Sequence, residues 1–527
     1  MVLKKMLKFI ERYKWFFATL VIVSAFFSLA CMKTGWYVDE VYSYGHASSS
    51  EGSFLNGNFQ NLELEDRYNL HHRWIKGDIF HNYLTVQKNE RFHYQHIWHN
   101  LQYSVHPPLF YVLLHTLRSF LPEGFGKWSG LALNGAILLL LLWWFYRLAI
   151  VVLKDKNWAF GATCFFAFLP IILEMSLYIR MYLLETAFFV GLLAQTLPLL
   201  EENKISLKRA IKIFCLAVLC YMTHFYGLIY AFFLSVGVCG CLLFRKRYDP
   251  LLCYAGVMLL SVAVTVLIYP AFWKVILFSE RGMESSAAIQ VFHWSLFGAL
   301  FEQMLVEITY AIFYMRCWVW MILLGFVLLF GRTKISAIGA ILLFTALGSM
   351  FLLTIVAPNM GAFNGRYYVG SIAAFYMAIV YALYQLVKCS PRGVRIISII
   401  AIILSVTNFI VMQHSPYLGR TSEIAEVTEL VKGKKVILQR QNVYGVFNLV
   451  PAFQYAQSVY ILFVNDDVEQ VMQSENFNKG SLVIQEAGLG GKKYKSKAFL
   501  EKNPALGLRF IGQYSIDLVC YDIYEKI

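Results

Sequence analysis

Long apolar segments separated by short polar loops dominate the first 412 residues of the chain. Most segments approach the roughly 20 residues that a helix needs to cross a hydrocarbon core about 30 Å thick. The pattern predicts a polytopic α-helical membrane protein with about 11–13 transmembrane helices. The first segment runs from about Trp15 to Cys31, and the others lie at 106–121, 128–150, 158–176, 180–200, 208–226, 228–244, 251–271, 309–330, 336–356, 367–387 and 394–412.

Two stretches are too polar to cross a bilayer. Residues 35–105 are predicted to form a structured external loop within a transmembrane domain 1–413. Residues 414–527 read as helices alternating with β-branched strands, which is typical of a small α/β domain. The predicted helices are 422–433 and 465–473; the predicted strands are 434–439, 457–464 and 481–487, followed by a hairpin over 508–525.

Composition narrows the class of protein. Hydrophobic residues make up 58% and charged residues only 15%, which excludes an ordinary soluble enzyme. The net charge of +14 arises from 46 Lys and Arg against 32 Asp and Glu, but the basic residues cluster in short loops rather than in a nucleic-acid groove. The ten cysteines form no CxxC pair and no disulfide framework. No nucleic-acid partner is therefore expected.

The basic loops predict the orientation of the chain. Taking Lys204–Lys212, Arg245–Arg247, Arg332–Lys334 and Lys388–Arg395 as cytoplasmic leaves the N-terminus inside and the 414–527 domain outside. Twelve spans would instead return the C-terminus to the cytoplasm. Two alternatives stay open: the short segment 106–121 is re-entrant, or 290–330 contains an additional span.

Acidic and cationic residues beside the apolar segments are the candidates for chemistry. Asp39 and Glu40, in GWYVDEVYSYGHA, follow the first span, where a carboxylate can act as a general base; the alternative is a helix cap. Because adjacent residues point in different directions, we expect Asp39 to be the base and Glu40 to bond to its neighbours. His106 precedes Pro107 and Pro108, which mark a helix start with its positive end at the histidine.

Two arginines stand at the edges of apolar segments. Arg180, in YIRMYLLE, is costly to bury without a partner, and its planar guanidinium is suited to binding phosphate. The alternative is a structural ion pair with Glu174 or Glu185. Arg366, in PNMGAFNGRYYVG, is a second candidate cationic contact beside Gly361 and Gly365.

The ordered set of these motifs resembles the GT-C superfamily of membrane glycosyltransferases. The closer likeness is to the family 39-like group of protein mannosyltransferases and aminoarabinose transferases. It rests on the DE pair, on HPPLFY at His106–Tyr111, on the R-x-Y of Arg180–Tyr182 and on the RYY of Arg366–Tyr368. It covers the layout of about the first 410 residues.

The resemblance implies an enzyme that moves a sugar from a polyprenyl-phosphate carrier to an acceptor hydroxyl at the external face, with inversion. It implies Asp39 and Glu40 as the catalytic carboxylates, with Asp39 as the base. The residues implied for binding the lipid phosphate are His106, Arg180, Tyr182, Arg366 and Tyr367. The acceptor is a lipid, a glycan or a protein. The content of Lys, Phe and Tyr is typical of bacterial proteins, which favours an undecaprenyl carrier and a plasma-membrane location.

Histidines are concentrated in the predicted external loop, with eight of the twelve between His46 and His106. On a helix, His93, His96 and His99 would share one face and could bind a metal. A surface-lying amphipathic helix explains the same spacing. We predict no metal and no other cofactor, although a divalent cation, as in the related oligosaccharyltransferases, is the open alternative. The run HHRW at His71–Trp74 is a candidate lining of the acceptor entrance.

A membrane transporter or lipid-linked sugar flippase is the alternative function. That class predicts inverted repeats and broken helices in matching halves of the chain, and the two halves of this sequence show no such self-similarity. Neither the sugar nor the role of the 414–527 domain follows from the sequence.

Overall fold

The structure is a computed structural model of the whole chain. It describes residues 11–48, 71–102, 106–121, 124–278, 283, 297–313, 336–356, 365–388, 390–420, 422–441, 444–463, 466–473, 477–489, 506–517 and 519–527. Its contacts divide the chain into two compact units. The helical unit consists of Met1–Ala30, Gln102–Phe110 and Leu131–His414, and the sheet unit consists of Cys31–Leu101, Tyr111–Gly130 and Ser415–Ile527.

Helices account for most of the described chain. In chain order they are α1 (Lys14–Met32), α2 (Val38–Ser48), α3 (Gly77–Leu84), α4 (Gln95–Leu101), α5 (Leu109–Phe120), α6 (Lys127–Leu153), α7 (Lys156–Ala167), α8 (Pro170–Leu177), α9 (Tyr182–Thr196), α10 (Leu207–Tyr221), α11 (Tyr226–Phe244), α12 (Tyr248–Ile268), α13 (Ala271–Phe278), α14 (Phe297–Phe313), α15 (Ala337–Val356), α16 (Val369–Val387), α17 (Pro391–Val411), α18 (Ile424–Val431), α19 (Tyr444–Phe447), α20 (Val450–Phe453) and α21 (Val468–Met472).

Eight helices in the described part of the chain are long and apolar enough to span a membrane, or nine if the bent pair α7–α8 is one span. The chain is thus a polytopic α-helical membrane protein, as predicted. The predicted number of about 11–13 exceeds this count because α5 and α10 are only 12 and 15 residues long. The predicted span 309–330 lies largely outside the described residues.

The bend between α7 and α8 has a cause in the sequence. Pro170 begins α8, and a proline both lacks an N–H and disfavours a helical conformation in the residue before it. The two helix axes differ in direction by 56°. The Asn408 Nδ2 donates a hydrogen bond to the carbonyl of Phe168, 3.1 Å away, so a carbonyl freed by the break is satisfied within the apolar interior.

A second break follows α8 and places the motif that contains Arg180. The Nδ2 of the buried Asn134, on α6, donates to the carbonyls of Ser176 and Tyr178 at 3.1 and 2.8 Å. These bonds terminate α8, and the chain stays non-helical until α9 begins at Tyr182. Polar side chains from distant helices therefore fix the backbone on both sides of the eight-residue helix α8.

The sheet unit contains six strands in the order β1-β3-β2-β4-β6-β5. Strands β2, β3 and β4 are parallel, whereas β1 and the β5–β6 hairpin pair antiparallel at the two edges. Apolar side chains of β2, β3, β4 and α21 form a core that includes Ile437, Leu462 and Val483. The strand bounds are β1 (Trp74–Lys76), β2 (Lys435–Arg440), β3 (Ser458–Phe463), β4 (Leu482–Leu489), β5 (Leu508–Ile516) and β6 (Val519–Lys526).

Every helix and strand predicted between 422 and 527 is confirmed within a few residues. The HHRW segment contributes its last residue, Trp74, to strand β1, which begins there and pairs with β3. His71 stacks on Phe463 at 4.4 Å and accepts a hydrogen bond from Arg440 Nε at 2.8 Å. Burial, followed by the charge of Arg440, lowers the pKa of His71 to about 4, so the imidazole is neutral and able to accept.

The predicted helical stripe of histidines is wrong in one position. Helix α4 begins at Gln95, so His96 and His99 lie on it but His93 lies in the turn before it. Phe92, one residue earlier, has a φ of 60°, a conformation that interrupts a helix. The three imidazoles therefore do not share one helix face.

Candidate functional site

His106 and Arg180 lie together in the helical unit. The Nη2 of Arg180 is 2.8 Å from the Nε2 of His106, and the arginine side chain is only 3% exposed. The Leu109 N–H donates to the Met222 carbonyl at 3.0 Å and so ties the start of α5 to the end of α10. The sequence left open a structural ion pair of Arg180 with Glu174 or Glu185; the structure adds His106 as a contact of the guanidinium.

Arg366 lies among tyrosine rings. It occupies the single 3₁₀ turn Gly365–Tyr368 and is 7% exposed. Its Nη1 donates to the Tyr178 hydroxyl at 2.7 Å and its Nη2 to the Tyr367 hydroxyl at 3.3 Å. The guanidinium carbon is also 5.2–6.0 Å from the ring centroids of Tyr178, Tyr182 and Tyr367, within cation–π range.

His224 joins these two arginines into one group. Its ring centroid lies 5.6 Å from that of His106 and 5.3 Å from that of Tyr182, which in turn contacts Arg366. Burial, followed by the charges of Arg180 and Arg366, lowers the pKa of His224 to about 3. We call His106, Arg180, His224 and Arg366 the arginine–histidine cluster.

The protonation of His224 follows from its contacts. The Tyr226 N–H donates to His224 Nδ1 at 3.1 Å, so in the neutral ring the proton resides on Nε2. Glu185 Oε1 is 3.8 Å from Nδ1, but this is not an ion pair because the imidazole is uncharged near pH 7. His224 therefore offers one N–H donor and no charge.

The backbone around Arg366 is held by its neighbours. The Tyr230 hydroxyl, on α11, donates to the Tyr367 carbonyl at 2.6 Å, and the hydroxyls of Tyr368 and Thr354 are 2.9 Å apart. At Gly370 an added Cβ would lie 2.6 Å from the Tyr230 ring, so α11 and α16 approach closely only because this residue is glycine. The turn with Arg366 is thus set by close helix packing.

The arginine–histidine cluster can bind an anion. Two guanidinium groups in a largely buried, aromatic surrounding interact with negative charge more strongly than they would in water. Guanidinium groups match phosphate oxygens geometrically, and a neutral imidazole N–H adds a further donor. The arrangement suits a phosphate group, including one on which charge accumulates during a reaction.

The two predicted carboxylates lie in the sheet unit, on the first turn of α2. Glu40 is fully buried; its Oε2 lies 2.9 Å from Lys33 Nζ and accepts from the Tyr37 N–H at 2.8 Å. Lys33 Nζ also donates to the Tyr417 carbonyl at 2.6 Å. Glu40 thus links the end of the first span to the start of the 415–527 segment.

Asp39 differs from its neighbour in exposure. It is half-buried, and its backbone carbonyl accepts from the Ser43 hydroxyl at 3.1 Å within α2. A carboxylate with part of its surface open to solvent can exchange a proton with a substrate, whereas a carboxylate enclosed by a lysine and a backbone N–H cannot do so freely.

The structure brings His106, Arg180, Tyr182, Arg366 and Tyr367 into one cluster, whereas Asp39 and Glu40 belong to the other unit. Sequence reasoning missed Tyr178 and His224. The signal for His224 was present: THFY interrupts two adjacent apolar segments, and a histidine there is as unusual as the arginine in YIRMY. Across the described residues, no group of three or more His, Cys, Asp or Glu is arranged to hold a metal ion.

Solved structures share this architecture. ArnT from Cupriavidus metallidurans in the apo state aligns with a TM-score of 0.60 and 11% identity over 98% of both chains. The same protein bound to undecaprenyl phosphate aligns with a TM-score of 0.57 and 10% identity, again over 98% of both chains. The chain has the fold of ArnT. The predicted architecture, a polytopic helical domain followed by a small α/β domain, is therefore shared with a solved structure at the level of the fold.

A further match is to the oligosaccharyltransferase AglB from Archaeoglobus fulgidus, with a TM-score of 0.43 and 12% identity over 90% of this chain and 70% of that one. No family model and no curated protein sequence matches the chain.

Proposed function

We propose that this protein is an integral membrane glycosyltransferase that moves a sugar from a polyprenyl-phosphate carrier to an acceptor hydroxyl. The observation that carries the proposal is the arginine–histidine cluster. Two buried guanidinium groups and a neutral imidazole gather in a unit of membrane-spanning helices, and a lipid phosphate is an anion that reaches such a position.

The fold likeness supports the same class of carrier. One of the ArnT structures is described as bound to undecaprenyl phosphate, and this chain covers almost all of that protein. By analogy, the phosphate of a polyprenyl carrier binds here at Arg180 and Arg366. Tyr178, Tyr182 and Tyr367 hold Arg366 in place.

The proposed reaction is a displacement at the anomeric carbon of the sugar. The acceptor hydroxyl gives its proton to the Asp39 carboxylate, and its oxygen attacks the anomeric carbon of the sugar. A new glycosidic C–O bond forms as the bond between the anomeric carbon and the phosphate oxygen breaks, with inversion. The electron pair leaves with the phosphate, and the arginine–histidine cluster stabilises the resulting negative charge.

The burial of Glu40 supports Asp39 as the base. Its carboxylate is engaged by Lys33 and by the Tyr37 N–H, so we assign Glu40 to holding the first turn of α2. Asp39, on the same turn and half-buried, keeps the exposure that proton exchange needs. Both residues remain proposals as catalytic groups.

We propose that the transfer occurs on the external side of the membrane. The charge bias of the loops places the N-terminus in the cytoplasm and the 415–527 segment outside, so transfer occurs at the external face of a bacterial plasma membrane. The donor is a polyprenyl-phosphate-linked sugar, and the acceptor is a lipid, a glycan or a protein.

The deciding experiment measures transfer of radiolabelled sugar from a panel of polyprenyl-phosphate sugars by the purified full-length protein in lipid nanodiscs. Wild type is compared with Asp39→Asn and with Asp78→Asn. Asp78 is the matched control because it is an exposed acidic residue in the first turn of α3, within the same unit. We expect transfer by the wild type and by Asp78→Asn, and loss of transfer with retained carrier binding in Asp39→Asn.

Normal turnover by Asp39→Asn would remove it as the base while leaving the enzyme class intact. Absence of transfer from every donor, together with absence of carrier binding, would overturn the proposal. Movement of lipid-linked sugar across the bilayer without transfer would point to the flippase alternative.

A further inference from the structure

A basic cavity lies in the helical unit away from the arginine–histidine cluster. Its volume is about 290 Å³, and it is formed by α6, the end of α9 with the following turn, and the start of α10. Its polar lining includes Arg147, Gln195, Ser206, Lys208, Arg209 and Lys212.

The basic cavity occupies the opposite ends of two helices that meet the arginine–histidine cluster. Helix α9 begins at Tyr182, beside Arg180, and ends near Gln195; α10 begins at Leu207, beside Ser206, and ends near His224. Each helix has 15 residues and spans about 22 Å at 1.5 Å per residue. The cavity is therefore a separate site.

Its positive charge is largely uncompensated by protein groups. Arg209 pairs with Glu202. Among the described residues, no acidic side chain lies within ion-pair distance of Arg147, Lys208 or Lys212. Three cations around one cavity repel each other unless a mobile anion joins them.

Lys208 and Lys212 lie near the N-terminus of α10, where positively charged residues are unfavourable. The N-terminus of α10 carries the positive end of the helix dipole, where acidic residues are favoured, but its first turn has no acidic residue. Lys208 and Lys212 are four residues apart on one face, an arrangement of like charges that destabilises a helix. A bound anion at this N-terminus relieves both effects.

One cation of the basic cavity lies on a membrane span. Arg147 belongs to the 27-residue helix α6, six residues before its end, so its Cα lies about 9 Å along the helix from that terminus. Basic cavities between membrane helices at the cytoplasmic side bind phospholipid headgroups. Ser206 and Gln195 add a hydroxyl and an amide that suit the polar part of a headgroup.

We propose that the basic cavity binds the phosphate of an anionic phospholipid, with Arg147, Lys208 and Lys212 as the cationic contacts. The site is independent of the proposed transfer reaction, because it shares no residue with the arginine–histidine cluster. A lipid held there links the ends of α6, α9 and α10 at the membrane surface.

The test counts lipids bound to the purified full-length protein by native mass spectrometry after exchange from nanodiscs of phosphatidylglycerol or phosphatidylcholine. Wild type is compared with Arg147→Gln/Lys212→Gln. The control, Lys388→Gln/Arg395→Gln, also removes two positive charges, from the C-cap of α16 and from the fifth residue of α17. We expect the cavity variant to bind phosphatidylglycerol about 10- to 30-fold more weakly, and the control to match the wild type.

A second variant changes the charge of the cavity while keeping the N-terminal cap of α10. Ser206 caps α10 by accepting from the Arg209 N–H. Asp is an equally good cap, so Ser206→Asp keeps the helix while adding negative charge to the cavity. It should also lose phosphatidylglycerol selectivity.

Equal binding of the two lipids by the wild type, or equal retention by wild type and both cavity variants, would overturn the proposal. If inorganic phosphate alone displaces no lipid, the ligand is the lipid headgroup as proposed. If it displaces phosphatidylglycerol completely at low millimolar concentration, the site binds free phosphate and the lipid assignment fails.

Discussion

Positively charged side chains lie at both ends of the α9–α10 helix pair, but they are buried at one end and exposed at the other. At one end Arg180 and Arg366 are 3% and 7% exposed, and tyrosine rings surround Arg366. At the other end Arg147, Lys208 and Lys212 are exposed around an open cavity. The first arrangement is largely buried, whereas the side chains of the second are exposed.

This difference assigns different tasks to the two ends. Buried guanidinium groups are pre-oriented and act in a medium of low dielectric, so they can stabilise charge as it forms during a reaction. Exposed lysines pay little desolvation energy and bind an anion reversibly, with a strength that depends on salt.

Arg366→Gln is expected to have the largest effect. It removes a buried cation that the proposed mechanism needs when the phosphate departs, so sugar transfer should fall about 100- to 1000-fold in kcat. Arg395→Gln removes the same charge from an exposed position at the start of α17 and should stay within about twofold of wild type. Radiolabel transfer under saturating donor measures both. A similar loss in the two variants would mean that overall charge, not position, matters.

His224 predicts a pH dependence of stability at the buried end. Its pKa is 6.5 in the unfolded chain and about 3 in the folded one, so only the unfolded state takes up this proton as the pH falls below 6.5. The folded state should lose about 2 kcal/mol between pH 7 and pH 5 through this residue, and nothing above pH 7. His224→Gln should remove this slope, as measured by unfolding at several pH values.

The control for that experiment is His414→Gln, which removes an exposed histidine of the same unit. It should leave the pH slope as in the wild type. If His224→Gln behaves like His414→Gln, the imidazole of His224 is protonated in the folded protein and the neutral assignment is incorrect.

Salt should weaken anion binding more at the basic cavity than at the arginine–histidine cluster. The Debye length falls from about 10 Å at 0.1 M to about 3 Å at 1 M ionic strength, which screens exposed charges and leaves buried ones less affected. Phosphatidylglycerol binding at the basic cavity should weaken about tenfold over this range, and polyprenyl-phosphate binding less than about threefold. Parallel titrations in nanodiscs measure both. Equal weakening would contradict the contrast in burial.

Ser206→Ala is expected to have the smallest effect. Loss of the side-chain cap on α10 should lower the free energy of unfolding by about 1 kcal/mol. Ser390→Ala, which removes the equivalent cap of α17, should cost a similar amount. Denaturant unfolding of both variants checks this. A higher free energy of unfolding in Ser206→Ala would show that the Ser206 side chain does not stabilise α10 as a cap.

The sequence predicted much of the fold because two patterns are clear: long apolar segments before His414, and alternating strands and helices after it. Apolar segments of nearly 20 residues indicated the spans, and alternating strands and helices after His414 indicated the sheet, which formed as expected. The likeness to ArnT in fold also matched the resemblance carried by the four motifs. Two predicted spans, α5 and α10, are shorter than the bilayer requires, because hydrophobicity alone does not show where a helix ends.

The sequence identified the arginines of the candidate site but not the residues that contact them. Arg180 stands in an apolar segment, where the cost of burying a charge points to it. Arg366 was a candidate from its place just before another apolar segment, beside Gly361 and Gly365. The contact between Arg180 and His106 joins residues 74 positions apart, and no local pattern reports such a distance. The expectation that Glu40 bonds to its neighbours agrees with its contacts to Lys33 and to the Tyr37 N–H, but the sequence did not identify those two partners.

The order of synthesis gives the Asn408 contact a consequence for assembly of the protein. The Phe168 carbonyl receives its hydrogen bond from a residue 240 positions later, near the end of α17. While the chain is being inserted, Pro170 can bend the helix, but the Asn408 bond that fixes the bend cannot form until almost the whole helical unit has been made. The segment leading to Arg180 therefore reaches its final form late, and a chain truncated before α17 would insert most of its spans yet lack the fixed bend.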